Sequence, residues 1–266
     1  VDELDEAPPA PTPSAAADAT PPLAVSAAEA FDRASTRGDT AIARRSRKVL
    51  LLFSGPYRRP DGLAAFLTKF GLEPVLLDND PVSGGGSDGD ILNDDVHNNL
   101  LQRIGRGEFL SIIAAPPCST FSISRHFAAD GSTTDDGPPV VRTRGQIRGL
   151  PDVPAKHRRE LRQANAIVAR MVALLTTAFA AGTQYVVENP ADRGDPAHPR
   201  RFLDPDHGPL WSMPEIRSFI YFVIIGSSSK PMSMFLCNSI LNTIRVGMSA
   251  PLMSFMMVIN SFIKLR

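Results

Sequence analysis

Three polar residues stand where apolar runs of this chain stop, and their types suit chemistry. Cys118 follows Phe109-Leu-Ser-Ile-Ile-Ala-Ala-Pro-Pro117, while Glu188 and Asn189 follow Gln184-Tyr-Val-Val187. A thiol that loses its proton is a strong nucleophile. A carboxylate at the end of a buried run is costly unless it is paired or used. A cysteine delivered past a strand end by a stiff proline pair is placed for chemistry rather than for packing. The competing reading of Cys118 is a small buried hydrophobe. Small hydroxyl residues, Ser119, Thr120, Ser122 and Ser124, follow the cysteine and suit phosphate or substrate.

These residues need elements to position them. Phe109 to Ala114 has the length and β-branched content of a strand buried on both faces, and Pro116-Pro117 cannot continue its ladder. Lys48 to Phe53 and Gln184 to Val187 read the same way. Between them lie a helical segment, Leu63 to Phe70, a second strand from Glu73, a helix capped by Asp94 or Asp95 and reaching Ile104, and a long helix from about Ala155 to Ala181, which Gly182 stops. Strands alternating with helices predict an α/β fold with a mostly parallel sheet and helices on both faces. In such sheets ligands bind at the C-terminal ends of the strands, where Cys118 and Glu188 both fall. Neighbouring strands bring these two residues to one cleft.

The strand ends also carry candidate cofactor contacts. Phe53-Ser54-Gly55 opens the turn after the first strand, and the glycine lets a ligand approach the backbone. Asp78, with Asp80 second, ends the second strand where an acid meets ribose hydroxyls in nucleotide-binding sheets. The alternative for both acids is turn formation.

Pro117-Cys118-Ser-Thr-Phe121-Ser122 resembles the Pro-Cys-Gln-Pro-Phe-Ser nucleophile loop of cytosine-C5 DNA methyltransferases, and Glu188-Asn189-Pro190 resembles their Glu-Asn-Val. Phe53-Ser54-Gly55 resembles the Phe-Ser-Gly-x-Gly turn that binds S-adenosylmethionine (SAM), with Pro56 to Pro60 where the second glycine would be. Gly89-Asp90-Ile91 resembles the family's Gly-Asp-Ile. The marks fall in family order between Lys48 and Pro190.

The resemblance implies a Rossmann-like SAM-dependent methyltransferase fold and transfer of a methyl group to cytosine C5 of DNA. Cys118 would be the nucleophile, with Glu188 holding the cytosine edge and Asn189 beside it. Phe53, Ser54, Gly55, Asp78, Asp90, Ile91 and Pro116 would hold SAM. Ser122, Arg142 and Arg144 would touch nucleic acid, with Arg142-Thr-Arg144 similar in part to the family's Gln-x-Arg-x-Arg. No metal is implied. Adenine-N6 transfer fits less well, since its Asp/Asn-Pro-Pro-aromatic motif stands here as Ala115-Pro116-Pro117-Cys118. The alternative expectation is a degenerate, inactive methyltransferase-like binding module or mobile-element relic.

The rest of the chain sets bounds. Its 266 residues are 43% hydrophobic, and 28 basic residues balance 28 acidic ones, so net charge gives no argument for nucleic acid. Any such contact must be local, and the candidate patch is Arg142, Arg144, Arg148 and Lys156 to Arg162. Two cysteines, Cys118 and Cys237, supply neither a disulfide framework nor a metal cluster, and no signal-peptide pattern opens the chain, which predicts an intracellular protein. Residues 1–43 are Ala/Pro-rich and read as a disordered tail, 44–225 as the methyltransferase-like domain, and 226–266 as an atypical Ser/Met-rich tail that either supplies last strands or is foreign to the fold. Its apolar stretches fall short of the ~18 uninterrupted residues of a spanning helix, so no membrane partner is expected.

Overall fold

The first apolar run, Lys48–Leu52, forms β1, buried along Val49 to Leu52. The computed structural model describes residues 46–126, 138–196, 204–226 and 234–238, with Ile225, Gly226 and the last segment as backbone only. The elements that follow are α1 (Leu63–Lys69), β2 (Glu73–Leu77), α2 (Asp94–Gly105), β3 (Ser111–Ala114), α3 (Ala155–Ala180), β4 (Gln184–Asn189), α4 (Pro214–Gly226) and β5 (Met234–Asn238). The five strands form one parallel sheet in the order β2-β1-β3-β4-β5. The fold is α/β with helices on both faces, as the alternation of runs predicts.

Strand order follows from burial. The central β3, Ser-Ile-Ile-Ala, is buried at every position, whereas β2 lies at the edge and is mostly half-buried. Pro74 sits in that edge strand, where its missing N–H breaks no inner ladder. Alternate residues then sort to the two faces. Val49, Leu51, Ile113 and Val186 pack with Leu67 of α1. Leu50, Leu52, Ile112, Ala114, Tyr185 and Val187 face Leu100 and Ile104 of α2, the apolar stripe of α3, and Ile216, Phe219 and Val223 of α4.

The long α3 meets the length and composition of a bilayer-spanning helix, yet Leu161, Val168, Met171, Leu174, Leu175 and Phe179 lie buried against the rest of the protein. Each such burial stabilises by about 1.5–3 kcal/mol. Gly182, with φ 74°, ends the helix in the left-handed conformation that a side chain resists.

Two expectations change. Asn93, rather than Asp94 or Asp95, caps α2 by accepting the Asp95 N–H, and the two acids instead fill the first turn, where the helix dipole favours them. For 226–266 the foreign-tail expectation gives way to the alternative of a last strand, because Met234–Asn238 adds β5 beside β4, with Glu188 level with Cys237. The expected disordered tail, residues 1–43, and residues 239–266 lie outside the described residues.

Glu108 joins both central strands at their starts. Arg103 and Lys48 both donate to its carboxylate, at 2.9 and 3.0 Å. The Arg103 bond, with help from Lys48, overrides burial and holds the carboxyl down at about 2.

Candidate functional site

Strand β1 has β2 on one side and β3 on the other, so the chain's path reverses direction between β1 and β3. That switch point leaves a crevice at the strands' C-terminal ends. A cavity of about 170 Å³ occupies it, lined by Phe53, Asn79, Gly89, Asp90, Ile91, Pro117, Ser119 and the α3 residues Glu160, Gln163, Ala164 and Ile167. Small-molecule sites commonly run to roughly 300–1,000 Å³, so the enclosed part suits one ring and its substituents.

The turn after β1 is strained toward this cavity. Phe53 has φ 61°, a left-handed conformation that costs a non-glycine residue on the order of 1–3 kcal/mol. Its N–H and that of Ser54 both donate to the Leu77 carbonyl, at 2.8 and 3.2 Å. Gly55, φ 67°, donates its N–H to Asp78 Oδ2 at 2.8 Å, and Asp78 Oδ1 accepts the Asp80 N–H at 2.9 Å. Asp78 thus binds the β1 turn to the end of β2, and its neighbour Asn79 lines the cavity. Asp80 is a turn former, accepting from Val82 N–H and from the Ser83 hydroxyl.

Gly89-Asp90-Ile91 sits across the crevice for a steric reason. A Cβ on Gly89 would run into the Asp78 carbonyl and lie 2.8 Å from its carbon and 2.9 Å from the Asp78 nitrogen. Only glycine lets this turn press onto the end of β2. Asp90 then lines the cavity while its Oδ1 accepts the Leu92 N–H, and Ile91 is buried with its carbonyl held by Arg170.

Strand β3 delivers the thiol. Pro116 is buried and its carbonyl accepts from Asn189 Nδ2 at 3.0 Å, so the proline that lines the cavity is Pro117 instead of the expected Pro116. Cys118 is exposed, and its carbonyl accepts the Phe121 N–H at 2.9 Å to close a tight turn. Partial burial pushes the thiol up, and the Glu188 carboxylate adds to the rise. Parallel pairing of Ala114 with Val187 places Glu188 at the adjacent strand end, near enough for its charge to act on the thiol. Asn189 is 1% exposed, and its Oδ1 has no protein partner.

A buried framework carries the cysteine turn from below. Arg142, expected at the surface against phosphates, is 2% exposed. It donates to the Ile147 carbonyl at 2.7 Å and to the Thr120 hydroxyl at 2.9 Å, and its guanidinium lies 3.9 Å over the Phe121 ring. Burial, then Arg125, lowers it to about 10. A guanidinium committed to the turn is withdrawn from phosphates, because it is buried with its two terminal nitrogens bonded to the Ile147 carbonyl, the Asn165 amide oxygen and the Thr120 hydroxyl, while Nε has no partner. Arg144 is half-buried and donates to Asp192 at 2.6 Å. Ser122 shares a hydrogen bond with Ser124 at 2.8 Å.

His207, 1% exposed, accepts the Arg193 N–H at Nδ1 and so donates from Nε2 to the Phe121 carbonyl at 2.9 Å. Arg125 donates to the carbonyls of Ser119 and Pro139 and to Glu160. None of Asn79, Glu160, Gln163, Arg125 or His207 stands out in the sequence as a site residue, whereas Ser119 is one of the hydroxyl residues expected there. Glu160, Gln163, Ala164 and Ile167 do share the i, i+3, i+4, i+7 spacing of one helix face.

Burial raises the Asp192 carboxyl, but the hydrogen bonds it accepts, those from Arg144 and the Gly194 N–H among them, bring it down to about 2. Folded-state values of about 2 for Asp192 and Glu108, against ordinary values of 3.8 and 4.5, give stability that is present above those ordinary values. That stability disappears as the pH falls toward 2. Thermal melts are expected to drop steadily between about pH 4.5 and 2, and Asp192→Asn to flatten that slope. A melting temperature constant across this interval would contradict the assignment.

Fold and site together define an α/β protein with a ligand-sized crevice at the switch point of its sheet and a thiol–carboxylate pair beside it. No family model, curated protein or solved structure matches the chain.

Proposed function

We propose that the protein is a SAM-dependent methyltransferase acting on cytosine C5 of nucleic acid through Cys118. The observation that carries the reading is the parallel pairing of β3 with β4 up to Ala114 and Val187, so that the turn of Cys118 and Glu188 follow adjacent strand ends, with Pro117 and Ser119 on either side of the cysteine lining the switch-point cavity. Phe53, Asp90, Ile91 and Pro117 suit an adenosine group, because apolar walls with one carboxylate can sandwich a ring and accept from its amino group. SAM bound there would supply an electrophilic methyl group.

The remaining chemistry belongs to the chain. Cys118 sulfur adds to C6 of a cytosine taken out of its stack, its proton passes to the Glu188 carboxylate, and Glu188 hands that proton to the ring nitrogen edge. Asn189 holds the cysteine turn through Pro116. Once C5 carries the methyl group, loss of the C5 proton expels the sulfur, and the ring edge returns its proton to Glu188, which restores the ring.

A second reading, a binding module without catalysis, draws on the raised thiol and on the inward use of Asp78 by the Gly55 and Asp80 N–H groups. Labelled SAM in equilibrium dialysis tests the cofactor claim. Wild type is expected to bind. Asp78→Ala removes the acceptor of two backbone N–H groups, each such bond to a charged group contributing about 1.5–3 kcal/mol, so affinity should fall tenfold or more. A folded wild type with no binding at millimolar SAM would rule out the methyltransferase.

A further inference from the structure

The first two turns of α3 carry Lys156, Arg158, Arg159 and Arg162, all exposed. Among the described residues, Lys156, Arg159 and Arg162 make no ion pair, whereas Arg103, Arg125, Arg144, Arg148 and Arg170 all reach a carboxylate. Cations here work against the helix. The first turn holds no acid, and positive side chains beside a helix's positive end cost about 0.3–1 kcal/mol each. An unpaired cluster that opposes the local field is the kind of inconsistency that marks a binding surface.

The cluster's position decides what it would bind. Glu160 and Gln163 line the switch-point cavity, and they neighbour Arg159 and Arg162 in sequence on the same two turns. The cation face and the cavity wall are therefore adjoining arcs of one helix. From Lys156 to Arg162 the helix rises ~9 Å, a length that meets two or three phosphates of one strand at ~3.4 Å each. Arg125 ties the cysteine turn to this helix, running from the Ser119 carbonyl to Glu160. A strand tracked along the stripe would pass beside both the cavity and Cys118.

We propose that Lys156, Arg159 and Arg162, with Arg158 at the border, form the phosphate-tracking surface of a nucleic-acid strand, in place of the buried Arg142 and the carboxylate-paired Arg144. This rests on the nucleic-acid reading above, but its test needs neither SAM nor turnover. The chemistry is that of a polyanion backbone, read by charge and not by base.

The full chain is titrated with a labelled 20-nucleotide single strand and the matching duplex across a salt series, by fluorescence anisotropy. Each phosphate contact adds about 0.7 to the salt slope for single strands and 0.9 for duplex. The triple variant Lys156→Gln, Arg159→Gln, Arg162→Gln should lose ~2 from the single-strand slope. At ~0.1 M salt that corresponds to roughly 100-fold weaker binding, about fivefold per contact. Glutamine keeps helix propensity, so circular dichroism should be unchanged. The control Lys69→Gln, Arg217→Gln, on α1 and α4, should bind as wild type.

The proposal is overturned if the folded triple variant binds as wild type or if the control weakens it equally. Absence of wild-type binding to either DNA overturns it too. So does equal competition by inorganic pyrophosphate at matched phosphate, which would assign the stripe to a small ligand, or binding to phosphatidylserine vesicles in preference to DNA. SAM binding without DNA binding would sink this surface and leave the cofactor claim standing, and the reverse outcome would do the opposite.

Discussion

Cys118→Ser is expected to end methyl transfer, by roughly 10⁴-fold or more, while leaving the fold in place. The residue is exposed and its turn is closed by backbone, Phe121 N–H to the Cys118 carbonyl, so the exchange of sulfur for oxygen should move stability by only about 0.5 kcal/mol. A structural cysteine would show the same small stability change with no loss of function. The decisive readout is a covalent complex with an oligonucleotide containing 5-fluorocytosine, whose fluorine cannot leave as the C5 proton does. Wild type should form it and Cys118→Ser should not.

The thiol's environment adds a second, independent readout. Burial and the Glu188 charge hold the thiol above its ordinary value, so alkylation by iodoacetamide should accelerate only at pH above the usual cysteine range. Removing the negative charge in Glu188→Gln lowers the thiol's pKa, and the alkylation profile should move to lower pH even as methyl transfer falls. A packing residue would give one change without the other. Alkylation profiles that coincide for wild type and Glu188→Gln would separate the two side chains and remove the shared cleft on which the proposed chemistry depends.

Much of this arrangement is legible in the sequence because burial leaves a direct trace. Val-Leu-Leu-Leu, Ser-Ile-Ile-Ala and Tyr-Val-Val are runs that only a doubly covered strand uses, and each stops at the residue where the sheet edge meets solvent. The parallel neighbours β3 and β4 then put the turn of Cys118 and Glu188 after adjacent strand ends. Side-chain partners are less visible. Arg142 and Arg159 look alike in a basic stretch, yet one is enclosed by Thr120, Phe121 and Ile147 and the other is exposed. What separates them is the path of residues 138–150 beneath the cysteine turn, which no periodicity encodes.

The same limit explains Pro116 and Pro117. A proline pair announces the end of a strand, but which ring faces the ligand depends on the Asn189 amide 73 residues away. It explains β5 as well. The stretch Met234–Asn238 carries no acid and little alternation, so its pairing with β4 rests on an open sheet edge instead of a local signal. Asp78 is a different case: its place at the end of β2 is readable, while its occupation by the Gly55 and Asp80 N–H groups is a property of the folded turn.

Gly89→Ala is expected to be the most damaging substitution of a single hydrogen by a methyl group within the described residues that line the cavity. The cause is not backbone strain, since Gly89 is not among the residues with positive φ. It is contact with the backbone of Asp78, whose carbonyl, carbon and nitrogen all fall inside the space a Cβ needs. A flexible side chain could swing away, but these atoms follow directly on β2 and are held by the bonds from Phe53 and Ser54 to Leu77. The turn Ser87–Gly89 must therefore lift, carrying Asp90 and Ile91 off the cavity wall. Overpacking of this kind costs about 1–3 kcal/mol. At ~2–4 °C per kcal/mol for a domain of this size, the melting temperature should fall by roughly 2–12 °C. Affinity for SAM should fall further than the stability loss alone explains, because Asp90 and Ile91 leave the wall together. Gly145→Ala is the matched control: no atom lies within 4 Å of its added Cβ, and it is exposed, so both readouts should stay at wild-type values. If Gly89→Ala melts and binds like Gly145→Ala, the turn is not pressed against β2, and the cavity loses the wall that Gly89-Asp90-Ile91 gives it.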